Sequence, residues 1–177
     1  VLFRSHRVEE VYWVGGEPLM YEQHWRYMRR IIELGDGPRV YARYNTNLSR
    51  VDWRGCNLYH DVLLSLRDWQ ICASLDGTGP TGEYIRSGLD FSTWLKNFKQ
   101  GLEHARHGRQ MRIDFTVTLP GLFEVENMQN LADQLGVEIL AKTVFSFTPD
   151  IIMSPLCLPR ELLDKDRKST RLNSSHA

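Results

Sequence analysis

The sequence predicts an α/β fold in which parallel strands are joined by crossover helices. Five short runs typical of strands alternate along the chain with segments whose apolar residues repeat at helical spacing. The connections are short and contain glycine or proline, which favours right-handed strand–helix–strand units. Five such strands form either an open doubly wound sheet or an arc of a (β/α) barrel, and the periodicity does not separate the two.

The individual elements follow from apolar spacing and from the turn residues between the runs. The predicted strands cover Val8–Val14, Arg39–Tyr44, Trp69–Leu75, Met111–Leu119 and Val137–Phe145. The predicted helices cover Tyr21–Leu34, a short segment around Leu58–Leu66, Thr81–Ser87, a longer segment from Asp90 or Ser92 to about His107, and Val125–Leu135. Gly136 is expected to end the last helix.

The two ends of the chain are expected to be artefacts. Residues 1–5 and 166–177 read like a translated sequencing adapter, and neither shows an apolar period. We expect one folded domain at 6–147 and an irregular segment at 148–165, which three prolines interrupt. The end segments carry four of the 22 basic residues and one of the 22 acidic ones, which leaves the rest with a net charge of about −3.

Composition excludes several classes of protein. No basic run is present, so a nucleic-acid partner is not indicated. No apolar stretch approaches the roughly 20 residues that cross a bilayer, so no membrane association is expected. Cys56, Cys72 and Cys157 are too few and too widely spaced for a disulfide framework, which favours a reducing, cytoplasmic location.

The segment Gly15-Gly16-Glu17-Pro18 ends the first predicted strand. Two glycines at a strand end let the backbone bend and let a ligand approach without a side chain in the way. Pro18 removes one amide donor and restricts the backbone before the next helix. The carboxyl ends of strands in α/β proteins are where ligands bind, and a plain strand-to-helix turn is the alternative interpretation.

Polar side chains also follow the second and third strands. Asn45 and Asn47 offer amide donors and acceptors, with ordinary turn hydrogen bonds as the alternative. Ser74 and Asp76 are two residues apart, so an extended strand places both on one face. Arg86 is suited to a bidentate contact with a carboxylate, and the alternative is a position on a solvated helix face.

These motifs together resemble the S-adenosylmethionine (SAM) site of radical SAM enzymes, in particular the twitch-domain type. The motifs are GGEP, YNTN, and SLDG followed by YIR, within a resemblance from about Val8 to Leu140. It implies a partial (β/α) barrel of the radical SAM type at 6–147, with its first strand missing from this sequence.

The resemblance also implies a role for each candidate residue. GGEP would hold the amino group of the methionyl part of SAM, and Asn45 and Asn47 would lie beside the cofactor. Ser74 and Asp76, together with Arg86, would correspond to the family's ribose and carboxylate contacts. Thr118, at the end of the fourth strand, would be a weaker SAM contact. Phe145 could pack on adenine, although an ordinary core position is the simpler interpretation.

The sequence departs from the family in its cysteines. Radical SAM chemistry needs three cysteines, usually as CxxxCxxC, to hold a 4Fe-4S cluster. The three cysteines here are 16 and 85 residues apart and cannot form that motif. We therefore expect the chain to be an internal fragment whose cluster segment lies upstream, with no metal ligands of its own.

The function implied is that of part of a radical SAM enzyme. The complete enzyme would use SAM and the cluster to produce a 5′-deoxyadenosyl radical that abstracts hydrogen from an unknown substrate, for which the family suggests a peptide. The chain alone is expected to be inactive and to bind SAM weakly. The alternatives are a non-catalytic degenerate barrel acting as a binding or scaffold module, and an unrelated aldolase-like enzyme with Asp76 and Glu17 as acid–base groups.

Overall fold

The predicted strands pair side by side into one sheet. The structure, a computed structural model, describes residues 7–144 and 153–161. Its strands are β1 (Glu10–Trp13), β2 (Tyr41–Thr46), β3 (Asp52–Trp53), β4 (Cys56–Asn57), β5 (Asp68–Ser74), β6 (Met111–Val117) and β7 (Glu138–Thr143). Five of them form a parallel sheet in the order β1-β2-β5-β6-β7, while β3 and β4 form a separate antiparallel hairpin.

The strand order decides between the two predicted architectures. Each strand of the main sheet lies beside the next one along the chain, with all four pairings parallel. In a doubly wound sheet the order in which successive strands are added reverses at a switch point, and in this sheet it does not. With right-handed crossovers, sequential winding places every helix on the same side. The α/β prediction is therefore confirmed, as an open arc of a (β/α) barrel type.

Four helices connect the strands. They are α1 (Glu22–Glu33), α2 (Gly79–Ile85), α3 (Phe91–His104) and α4 (Val125–Leu135). Asp90 caps α3, because its Oδ1 accepts a hydrogen bond of 2.8 Å from the Thr93 N–H. Gly136 ends α4 with a left-handed φ of 67°. Asp90 is thus the correct one of the two predicted starts of α3, and the predicted end of α4 is confirmed.

The two faces of the sheet differ sharply in chemistry. The helix-side face is apolar and closed, and its side chains include Tyr44, Trp69, Ile71 and Phe115, all at most 1% exposed. The other face, here called the open face, alternates with these residues along each strand. Its members include Tyr12, Arg43, Asn45, Gln70, Cys72, Ser74, Arg112, Asp114 and Thr116. Most of the hydrophobic core thus lies between the sheet and its helices.

Two local predictions were incomplete. The β3–β4 hairpin was not predicted, because its two-residue turn is Arg54-Gly55 rather than the usual Asn-Gly. Both turn residues have positive φ, 49° and 78°. The short helix expected around Leu58–Leu66 is a π-helical turn at Leu58–Val62 followed by a 3₁₀ turn at Leu63–Ser65.

Residues at both ends of the chain lie partly outside the described ranges. The expected artefacts at 1–5 and 166–177, and also Phe145, lie outside the described residues. Of the segment 148–165 only 153–161 is described, and it contains a 3₁₀ turn at Pro155–Cys157. No helix among the described residues is long and apolar enough to cross a membrane.

Candidate functional site

The strand ends of a parallel sheet meet at one edge, and here that edge collects the candidate residues. The carboxyl rim is defined as segments 15–18, 45–48, 74–78 and 116–121, at the ends of β1, β2, β5 and β6. Nine of the ten predicted SAM contacts belong to it: Gly15, Gly16, Glu17, Pro18, Asn45, Asn47, Ser74, Asp76 and Thr118. Arg86 follows α2, and its side chain reaches the rim.

The Gly15–Gly16 turn has a backbone that favours glycine. The two residues have φ angles of 83° and 51°, in the left-handed region. A side chain on Gly16 would also lie 2.8 Å from the Tyr21 hydroxyl. Pro18 then begins a 3₁₀ turn, Pro18–Met20, and is buried. Both glycines are exposed, so their peptide groups are accessible to a ligand.

Glu17 fastens this loop to the end of β2. Its Oε1 accepts hydrogen bonds from the Leu19 N–H at 3.1 Å and from the Thr46 hydroxyl at 2.6 Å. Its Oε2 accepts from the Asn47 N–H at 2.7 Å. Charge-assisted bonds of this kind position two loops firmly. The carboxylate predicted to hold an amino group therefore already accepts three internal hydrogen bonds.

Asn45 and Asn47 differ in what their side chains do. The Asn47 Oδ1 accepts a hydrogen bond of 2.9 Å from the Ser49 N–H, which is the turn interaction considered as the alternative. The Asn45 side chain lies on the open face, and its Oδ1 is buried without a hydrogen-bond partner. A buried acceptor without a donor is costly unless a ligand satisfies it. Of the two amides, Asn45 is the better candidate ligand contact.

Asp76 and Arg86 bind each other. Arg86 Nε donates to Asp76 Oδ2 at 2.7 Å, and the Thr116 N–H donates to Asp76 Oδ1 at 3.1 Å. The Asp76 side chain is 9% exposed, whereas that of Arg86 is 30% exposed. The ion pair joins the loop after β5 to α2 and β6. Since each of its oxygens already accepts a bond, Asp76 has less capacity for a ribose than the sequence suggests.

Ser74 and Thr118 also differ in whether their hydroxyl groups take part in hydrogen bonds within the chain. Ser74 ends β5 on the open face, opposite Asp114, and no hydrogen bond of its hydroxyl is found among the described residues. The Thr118 Oγ1 accepts from the Gly121 N–H at 3.1 Å, and Thr118 is 5% exposed. Thr118 therefore stabilises the turn after β6.

Glu124 is a rim-supporting residue that sequence reasoning missed. Its Oε2 accepts from the N–H and the hydroxyl of Thr78, at 2.8 and 2.7 Å. Burial raises the pKa of Glu124, but the hydrogen bonds from Thr78 and Asn127 outweigh it, so the pKa lies below its usual value. No local pattern identifies this contact, because the partners are 46 residues apart.

His24 lies in an aromatic cluster below the rim. Its Nε2 is 3.0 Å from the Tyr44 hydroxyl, and its ring makes edge contacts with Trp13, Trp25 and Tyr44. The side chain is fully buried, and its Nδ1 has no partner. Burial lowers the pKa of His24 to about 4, so the imidazole is neutral at pH 7.

The described residues do not fit an iron–sulfur cluster. No group of three or more His, Cys, Asp or Glu side chains within 7–144 and 153–161 is arranged to hold a metal ion. Cys56, Cys72 and Cys157 are free and lie on β4, on β5 and in the last 3₁₀ turn. That the cluster ligands lie outside this sequence stays a prediction.

A second polar network lies at the opposite edge, where the strands begin. This amino edge contains a cavity of about 1060 Å³ lined by Tyr41, Asp68, His107 and Glu138, among others. Asp68 Oδ1 accepts from the Trp69 N–H and from Gln110 Nε2, both at 2.8 Å. His107 Nε2 lies 3.2 Å from both Asp68 oxygens.

Comparison with known proteins gives a likeness of fold. No family model and no curated protein matches the sequence. Among solved structures, the chain is similar to Streptococcus suis SuiB, with 15% identity and a TM-score of 0.63. The likeness covers 95% of this chain and 37% of that one, so the chain spans little more than a third of SuiB.

The likeness concerns the fold of this chain and of part of SuiB. An identity of 15% shows the fold alone, and function must be argued from the site. Chemically, the rim offers exposed glycine peptides, the Asn45 side-chain Oδ1 and the Ser74 hydroxyl. Glu17, Asp76 and Glu124 position the loops around these groups.

Proposed function

We propose that this chain is part of a radical SAM enzyme and that its carboxyl rim binds SAM. The observation that carries the proposal is the Glu17 link, which holds the Gly15–Gly16 turn next to the end of β2, where the Asn45 Oδ1 is buried without a partner. A preformed turn with accessible peptide groups beside an unsatisfied acceptor suits a ligand that carries an ammonium group.

The predicted contacts would have two kinds of role, direct contact with SAM and positioning of the contacting groups. Gly15, Gly16 and Asn45 would hold the methionyl part of SAM, and the Ser74 hydroxyl would bind a neighbouring polar group. Glu17 and Asp76 would act by holding these groups in place, since their carboxylates already accept internal bonds. When bound in radical SAM enzymes, SAM supplies the radical that abstracts hydrogen from the substrate.

The proposal for the isolated chain is limited to SAM binding. The described residues do not fit the cluster, so the iron ligation that would clamp the methionyl group is lacking in them. We therefore expect a dissociation constant in the millimolar range, roughly −4 kcal/mol of binding free energy, and no catalytic turnover.

An aldolase-like acid–base enzyme is the weaker candidate. A general acid or base needs an oxygen or nitrogen free to exchange a proton with the substrate. Both oxygens of Glu17 and both of Asp76 accept hydrogen bonds from other residues of the chain. These contacts favour a positioning role for the two carboxylates.

The test is a titration of the ¹⁵N-labelled chain with SAM, followed by amide chemical shifts up to about 10 mM ligand. We expect shifts at Gly15, Gly16 and Ser74. Asn45→Ala should weaken binding about five- to tenfold, the effect of one lost hydrogen bond. Asn47→Ala is the matched control, because its side-chain oxygen is used in a turn, and it should bind SAM as the unchanged chain does.

Two results would contradict the proposal. Absence of rim shifts at the highest concentration would favour the non-catalytic barrel, and shifts confined to the amino edge would place the ligand elsewhere. A sub-micromolar dissociation constant would instead show that tight binding does not need the cluster.

A further inference from the structure

The open face of the sheet carries two arginines in similar strand positions. Arg43 lies on β2 between Tyr12 of β1 and Gln70 of β5, and Arg112 lies on β6 next to Cys72 of β5. Both side chains are partly buried, since their residues are neither fully exposed nor fully covered. Their chemical surroundings are nevertheless different.

Arg112 is neutralised within the chain. Its Nε donates to Asp114 Oδ1 at 3.0 Å, and the side chains of the two residues are 19% and 5% exposed. The pair carries no net charge toward the open face. An anion approaching this part of the sheet would meet a satisfied ion pair.

Arg43 has no carboxylate partner among the described residues. Its guanidinium carbon lies 5.2 Å from the centre of the Tyr12 ring, a cation–π distance. Its Nε is buried and donates to no acceptor, and the Cys72 thiol is the polar side chain within hydrogen-bonding reach of the rest of the guanidinium. Burying a donor of a charged group without an acceptor is expensive, so this arginine is poorly explained by the stability of the chain alone.

We propose that Arg43 binds a carboxylate group of the substrate. The guanidinium presents planar donors that match a carboxylate, and the half-exposed Tyr12 ring forms one wall beside it. A carboxylate fits better than a phosphate, because no second unpaired cation lies next to Arg43 among the described residues once Arg112 is bound to Asp114. The substrate class is therefore one that carries a carboxylate group.

The location connects this group with the proposed cofactor site, and in this respect the inference rests on the proposed function. Arg43 precedes Asn45 by two residues on the same face of the same strand, a spacing of about 7 Å. A substrate anchored at Arg43 would thus extend toward the rim where SAM is proposed to bind. A group held so close to the reacting centre positions the substrate for reaction.

The test measures binding of a single carboxylate to the full chain. The probe is acetyl-glutamate amide, and its neutral twin is acetyl-glutamine amide, each added to about 10 mM. The readouts are the Arg43 Nε–Hε resonance and the Tyr12 ring resonances. We expect the glutamate probe to shift both and the glutamine probe to shift neither.

Two variants show whether binding of the glutamate probe depends on Arg43 or on any arginine that lies over a tyrosine ring. Arg43→Gln should weaken binding of the glutamate probe about tenfold or more, the effect of losing a charge-assisted bond. Arg26→Gln is the matched control, because Arg26 also lies 5.2 Å over a tyrosine ring, that of Tyr27, on α1. Binding by that variant should be unchanged. If Arg43→Gln does not fold, the paired probes on the unchanged chain still decide the question.

Three results would overturn the assignment. They are no shift of the Arg43 resonance at the highest probe concentration, an equal response to both probes, and tighter binding of inorganic phosphate than of the glutamate probe. Failure of the proposed function is read separately, from the Gly15 and Gly16 amides with SAM. Arg43→Gln should leave those SAM shifts in place, whereas loss of SAM binding with intact glutamate binding would refute only the cofactor site.

Discussion

At each edge of the sheet a carboxylate accepts hydrogen bonds from more than one donor. At the amino edge Asp68 accepts from Trp69 and Gln110 and contacts His107. Burial raises the pKa of Asp68, but these hydrogen bonds outweigh it and hold the pKa below its usual value. At the carboxyl rim Glu17 accepts from three donors in the same way. Both networks therefore stabilise loop positions.

The two edges differ in which buried acceptors remain unsatisfied. At the amino edge the Asp68 carboxylate accepts hydrogen bonds and Gln70 Nε2 donates to the Arg109 carbonyl oxygen at 3.0 Å, whereas the Trp69 indole N–H is a buried donor without an acceptor. At the rim the Asn45 Oδ1 is left without a partner, beside two exposed glycines. The cavity of about 1060 Å³ is at the amino edge, away from these groups.

The largest expected effect tests how tightly the rim is packed. A Cβ on Gly82, in α2, would overlap the carbonyl oxygen of Gly77 and lie 2.8 Å from its carbonyl carbon. Because the neighbour is backbone, Gly82→Ala should lower the free energy of unfolding by about 3 kcal/mol. Gly108→Ala, at the amino edge, has open space around its Cβ and should change it by less than about 0.5 kcal/mol.

Urea denaturation of the two variants measures this difference. Equal losses of stability at Gly82 and Gly108 would show that the rim is no more tightly packed than the amino edge. A loss at Gly82 accompanied by an altered m-value would instead indicate a changed denatured state or a departure from two-state unfolding.

The second prediction concerns the pH dependence of stability and compares His24, below the rim, with His107 at the amino edge. The unfolded pKa of histidine is about 6.5, while that of buried His24 is about 4, so the unfolded chain binds more protons between these values. Stability is therefore greatest above pH 6.5 and falls with acidification, by about 2 kcal/mol between pH 7 and pH 5. Carboxylates with lowered pKa, such as Asp68 and Glu124, lose their contribution mainly below this window.

Denaturation curves at pH 5 and pH 7 measure that slope. His24→Phe should remove most of it, although the variant loses the contact with the Tyr44 hydroxyl. His107→Gln, at the amino edge, should retain the slope of the unchanged chain. A slope that survives in the His24 variant would assign it to other groups.

The sequence was most informative where a common local signal determines the structure. The strand–helix alternation, the Asp90 cap and the glycine at the end of α4 each depend on neighbouring residues, and all agree with the structure. The motifs at strand ends predicted the rim, because parallel strands bring their ends to one edge. The order of the strands in the sheet could be read only from the structure, because the spacing of apolar residues does not show which strands pair.

The sequence was less informative about which polar groups stay free. Asp76 and Arg86 were predicted to bind a ligand, and they bind each other across ten residues. Glu124 was missed because its partner Thr78 is 46 residues away. A side chain's type shows what it can bind, whereas its availability depends on neighbours that only the fold brings together. Whether any of the ten candidate residues contacts SAM stays a prediction.

The smallest expected effect compares the two organising carboxylates directly. Glu17 uses one oxygen for Leu19 and Thr46 and the other for the Asn47 N–H, so Glu17→Gln places an amide donor against a backbone donor. This should cost about 1 to 2 kcal/mol of unfolding free energy. Asp68 receives both of its short bonds on Oδ1, which an amide retains, so Asp68→Asn should cost less than about 1 kcal/mol. Thermal or urea unfolding of the pair measures the difference, and an Asp68 variant at least as damaged as the Glu17 variant would mean that the amino edge holds its loops more firmly than the rim.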